Sequence, residues 1–189
     1  MNDLIYKVHD DCIEFVKYPF KCSNVCKNRI LKATDIIDAT EKHFAPQAVR
    51  TISNELIFLT FMRNETDANK KLPRFFKRNN VTVRKSIDVW SIINDPFLDT
   101  EHSPEYIESG FAQLEKCGIV RGDCHDLRIE IAVRMLAYNA VLRDWVHLGL
   151  YDTLRASLGY LSGEKYRLSD KDFEKIYWRA MKIAMKGFD

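Results

Sequence analysis

Apolar positions over residues 3–18 fall at Leu4, Ile5, Val8, Cys12 and Phe15 or Val16, three and four apart, with polar residues between. That spacing predicts an amphipathic helix, which Pro19 stops. Over 23–43 the series continues through Val25, Cys26, Ile30, Ala33, Ile36 or Ile37 and Thr40, with Ser23 or Asn24 as N-cap. Pro46 suits the start of a third helix through Val49, Ile52, Leu56, Leu59 and Phe61. The polar stretch 63–69 reads as a loop. Pro73 and Asn79-Asn80 interrupt any helix over 70–85, and Val81-Thr82-Val83 favours a short extended run. Loop arm and exposed short helix both fit that segment.

In the second half, residues 86–94 read as a helix ended by Asp95-Pro96. Ser103-Pro104-Glu105 supplies a capping hydroxyl, a proline at the first helical position and an acid that complements the helix dipole. That helix runs through Ile107, Phe111 and Leu114 to Cys117, where Gly118 suits a C-terminal cap. Two readings stay open for 119–131. Apolar and charged residues alternate in Leu127-Arg128-Ile129-Glu130-Ile131, which predicts a small hairpin; alternatively, Asp126 caps a long helix from Leu127. Residues 132–148 are apolar on nearly every side, which predicts a helix buried at the centre of a domain. A short helix to Leu158, a turn at Ser162-Gly163 and a helix over 170–186 capped by Ser169 complete the series. The fold class expected is all-α: one compact domain, 1–189, of about seven or eight helices. Its subdivisions would be 1–66, 86–131 and 132–189, with a winged-helix-like middle segment.

Composition narrows the class. The 189 residues are 46% hydrophobic and 30% charged, a globular balance, and few glycines argue against an all-β fold with its many tight turns. No apolar run is long enough to span a membrane. The first residues lack a secretory pattern, and five cysteines are an odd count, so a cytoplasmic protein with free thiols is expected.

Charge changes the picture most. Lys70, Lys71, Arg74, Lys77, Arg78, Arg84 and Lys85 stand together, with no acid between Asp67 and Asp88. The chain carries 29 Lys+Arg against 27 acids; without these seven it would have 22 against 27. So local a cationic run is the footprint of a polyanion contact, with Phe75 and Phe76 as stacking platforms or anchors. Lys175, Arg179, Lys182 and Lys186, four, three and four apart, make one face of the final helix and a candidate second anionic contact.

Residues 86–131 resemble a winged helix in outline. The resemblance implies DNA reading by the helix after Ser103, but Glu105, Glu108 and Glu115 on that helix would be repelled by phosphate. Cys22, Cys26, Cys117, Cys124 and His125 offer metal donors without a tight C-x2-C pair, so packing as small hydrophobes is the ordinary reading. Arg143-Asp144-Trp145-Val146-His147 and Arg121-Gly122-Asp123-Cys124-His125 approach the Arg-x(4–6)-His motif of helical HEPN ribonucleases, one residue short of it. No phosphate-binding loop, dinucleotide fingerprint, zinc-protease or serine-hydrolase motif occurs. The function expected is non-catalytic binding of nucleic acid or a nucleoprotein through its phosphate backbone. The alternative is a protein–protein adaptor or inhibitor that meets an acidic partner, and a helical ribonuclease ranks third. No cofactor, metal set or membrane partner is assigned.

Overall fold

A computed structural model of the chain describes residues 4–41, 46–59 and 67–188. The chain divides into two compact units, Met1–Ser86 and Ile87–Asp189. The fold is mixed α/β, not all-α: strands dominate the first unit and helices the second.

Among the described residues the first unit holds seven strands, two α-helices and a 3-10 turn at Ala33–Asp35: β1 (Ile5–Val8), β2 (Cys12–Lys17), α1 (Asn24–Asn28), β3 (Ile30–Lys32), β4 (Ile36–Thr40), β5 (Ala48–Thr51), β6 (Leu56–Phe58), α2 (Asp67–Arg78) and β7 (Thr82–Arg84). The helices predicted over 3–18, 23–43 and 46–61 are therefore replaced by strands, with only the short α1 surviving. Positions 42–43, 60–61 and 63–66 of those expectations lie outside the described residues, and 67–69 begin α2 rather than ending a loop.

The physical reason lies in strand length. Leu4 and Tyr6, then Ile13 and Phe15, are buried at alternate positions around the turn at His9-Asp10-Asp11. Read without the turn, such short alternations also fit a three-and-four spacing. Strands β1, β2 and β3 pair antiparallel in that order, with Tyr6 opposite Phe15 and Ile13 opposite Leu31. A second sheet has the order β6-β5-β4-β7; β7 lies parallel to β4, with Asp38 opposite Thr82 and Thr40 opposite Arg84. Rings of Tyr6, Phe15, Tyr18, Phe20 and Phe58 form a chain of contacts, with successive centroids 5.4–6.0 Å apart.

The second unit holds α3 (Val89–Asn94), α4 (Pro104–Lys116), α5 (Arg121–Leu142), α6 (Leu150–Ser157) and α7 (Asp170–Met185). The cap signals in the sequence operate here. Ser103 accepts from the Tyr106 amide and Ser169 from the Asp172 amide, and Gly118 takes φ +69° after α4. Trp90, Ile93, Leu114, Met135, Leu154 and Tyr177 are fully buried, and the Trp90 indole donates to the Ala180 carbonyl at 3.1 Å.

No strand occurs among the described residues of this unit, so the hairpin at 119–131 and the winged-helix outline are both corrected. α5 runs through that segment because Leu127 and Ile131, four apart, face inward. The charged Arg128 between them turns aside, donating to the Ile92 and Ile93 carbonyls and lying over the Phe111 ring. Burial on all sides, expected for 132–148, also fails: Val133, Leu136, Val141 and Trp145 are more than half exposed. None of the described helices is long and apolar enough to cross a membrane.

Candidate nucleic-acid interface

The cationic run folds as α2, β7 and their connection, all in the first unit. α2 passes through Pro73, which costs about 3 kcal/mol in a helix interior through its missing N–H and its ring. Leu72, Phe75 and Phe76 are buried on one side of the helix, and at about 1.5–3 kcal/mol each their burial outweighs that cost. Phe75 and Phe76, each 3% exposed, are anchors rather than stacking platforms. The Tyr6 hydroxyl donates to the Asn69 side chain at 2.5 Å and fixes α2 to β1.

The end of α2 is built from its own residues. Asn80 adopts φ +54°, the Val81 amide donates to the Phe76 carbonyl at 2.9 Å, and the Asn80 amide reaches the Lys77 carbonyl at 3.4 Å. This is the left-handed C-terminal cap that asparagine tolerates. The Asn79 side chain donates to the carbonyls of Phe75 and Asp10, tying the cap to the β1–β2 turn.

With one side of α2 buried, Lys70, Lys71, Arg74, Lys77 and Arg78 all face solvent on the other. Between residues 70 and 78 the helix rises about 12 Å, a few phosphate steps along one strand. Lys71, Arg74 and Arg78 form one wall of an open cleft of about 610 Å³, and His9, Asp10 and Asp11 face them from the β1–β2 turn. Arg78 pairs with Asp10 at 2.6 Å, and Lys70 makes an exposed pair with Asp67 at 3.3 Å. Lys71, Arg74, Lys77 and Lys85 make no ion pair among the described residues.

Arg84 is placed differently. Its guanidinium reaches the buried Asp38 carboxylate at 3.3 Å, which Arg50 already grips through two hydrogen bonds of 3.1 and 2.6 Å. Taking one arginine from so buried a carboxylate is costly, so Arg84 belongs to the sheet. Sequence reading missed Asp38 and Arg50, which come together only by the pairing of β4 with β5.

The final helix is α7, in the second unit. Phe173, Tyr177, Ala180 and Ala184 are buried as its spacing predicts, and Ile176 is half-buried. Most of its cations already have partners: Lys175 pairs with Asp172 at 3.3 Å, Arg179 with Glu130 at 2.7 Å, and Lys186 donates to the Gly118 carbonyl at 2.6 Å. Of the four named in the sequence, Lys182 is exposed and makes no such contact among the described residues.

The histidine positions also resolve. His147 is half-buried against Asp88, at 3.0 Å, whereas Arg143 is exposed in a left-handed conformation at the end of α5. Arg121 pairs with Glu108 and leaves His125 exposed. The five cysteines form no disulfide among the described residues; burial pushes Cys12, Cys26 and Cys124 above the ordinary thiol range. Among the described residues no His, Cys, Asp and Glu group is arranged to hold a metal ion.

No protein-family model matches this chain, and no curated protein or solved structure matches it either.

Proposed function

We propose that the chain binds nucleic acid through the outward face of α2, gripping the phosphate backbone without reading bases. One observation carries the reading: α2 is anchored by Leu72, Phe75 and Phe76 and turns Lys71, Arg74 and Lys77, which make no ion pair among the described residues, to solvent. Lys85, exposed after β7, adds a fourth cation that makes no ion pair among the described residues. Rigid presentation lowers the ordering cost of binding, and side chains of this kind neutralise phosphates without regard to sequence. The role is binding rather than chemistry, and the reading places it in the cytoplasm, where cysteines without disulfides persist.

The test is titration of labelled duplex DNA, single-stranded DNA and RNA at two salt concentrations. Four engaged phosphates give a slope of log affinity against log salt of roughly −4 on duplex DNA. The triple variant Lys71→Glu/Arg74→Glu/Lys77→Glu changes only exposed side chains. It should keep the parent's circular dichroism spectrum and lose affinity by roughly 100-fold at low salt. Absence of micromolar binding to all three polymers at low salt would sink the reading.

A further inference from the structure

α5 has two apolar faces. Cys124, Leu127, Ile131, Met135 and Tyr138 point into the core of the second unit. On the opposite side Ile129, Val133 and Leu136 are 62%, 60% and 55% exposed, and Ala140 is exposed beside them. These four positions are spaced four, three and four, so they form one stripe along the helix. Charged neighbours leave the stripe clear: Glu130 is drawn to Arg179 at 2.7 Å, and Arg134 folds back onto the Glu130 carbonyl at 2.8 Å. A continuous apolar stripe on a helix whose other face is already packed is the mark of an interface.

The ends of the stripe identify the occupant. Asp126 precedes it and Arg143 follows it; both are exposed, and neither makes an ion pair among the described residues. The series Asp126, Ile129, Val133, Leu136, Ala140, Arg143 has steps of three, four, three, four and three. It reads the same from either end in spacing and carries opposite charges at its two ends. Two copies of α5 laid antiparallel about a two-fold axis midway between Val133 and Leu136 therefore match themselves. Val133 meets the partner's Leu136, the large Ile129 meets the partner's small Ala140, and Asp126 meets the partner's Arg143, each twice. Parallel pairing would instead oppose like charges at both ends.

We propose that this stripe docks a second copy of the chain, forming an antiparallel two-fold dimer through α5. The spacing is the knobs-into-holes seam of packed helices, and self-complementarity is what a two-fold interface requires. This dimer is independent of the nucleic-acid reading.

Sedimentation equilibrium of the full chain at tens of micromolar should give twice the 22.1 kDa chain mass. Val133→Glu/Leu136→Glu alters exposed positions only and should yield a folded monomer. Asp126→Arg and Arg143→Asp each replace two attractive contacts with repulsive ones, weakening the dimer about tenfold or more. Aspartate tolerates the left-handed backbone at 143. Mixing these two single variants restores both opposite-charge contacts, so the mixture should regain the dimer that neither forms well alone. A monomeric wild type overturns the proposal, as does a dimer untouched by Val133→Glu/Leu136→Glu. Failure of the mixture to recover overturns the antiparallel register.

Discussion

Gly187 occupies a place that admits no side chain. A Cβ there would run into the Ile87 carbonyl oxygen, while the Ile87 amide donates to the Gly187 carbonyl at 2.9 Å. The obstacle is backbone, which cannot swing aside as a long side chain would. Gly187→Ala should therefore destabilise the second unit by about 1–3 kcal/mol, the usual cost of overpacking. Tryptophan fluorescence reads this unit alone, because Trp90, Trp145 and Trp178 all lie within it. A urea midpoint unchanged by the substitution would contradict the close approach. Neither the residue type nor its neighbours announce this constraint, since Ile87 is distant in the chain.

Among the elements, α2 shows how its own sequence fixes an end while distant residues fix a face. Asn79-Asn80 was legible as a stop, because asparagine enters the left-handed region at little cost. Pro73 was legible as a second stop and is not one, because burial of Leu72, Phe75 and Phe76 against the sheets overrides it. Two substitutions at the cap separate these effects. Asn80→Val should cost about 1–2 kcal/mol, the price of a β-branched residue at positive φ, and Asn80→Gly should be neutral or slightly stabilising. Urea unfolding followed by circular dichroism reads both, and equal loss in the two variants would mean that the asparagine side chain, not the backbone, holds the cap. α5 carries the complementary lesson. Apolar residues on nearly every side of 132–148 predict a buried helix, and only packing shows that one side of it is left in water.

At the scale of the whole molecule, the second unit carries a built-in response to pH. In the second, burial pushes Asp95 up to about 6, partly opposed by His102, Arg128 and His147. Burial likewise raises Asp152 to about 6, against the Gly149 amide and the Tyr138 hydroxyl that bond it. Burial pulls His147 down, but the Asp88 hydrogen bond and the charges of Asp88, Asp152 and Asp144 leave it net raised. All three groups hold protons more tightly folded than unfolded. The stability they contribute is full below the unfolded carboxylate range and falls as pH rises through about 6 for the two acids, then further as His147 loses its proton above 6.5. The thermal midpoint read by tryptophan should thus be lower at pH 8 than at pH 5.5; an equal or higher midpoint at pH 8 would refute the assignment. What the sequence determined by itself was local: the caps at Ser103 and Ser169, the stop at Asn79-Asn80, the extended run at Thr82, and a cationic cluster dense enough to reverse the sign of the chain's charge. Those features depend on groups within a few residues of one another. Tertiary structure decided the rest. Short strands take their hydrogen bonds from distant partners, so 4–58 could not be told from helix by periodicity alone. Which cations face water, which are spent on Asp38, Asp10 or Glu130, and which face of α5 stays bare are all set by packing between segments far apart in the chain.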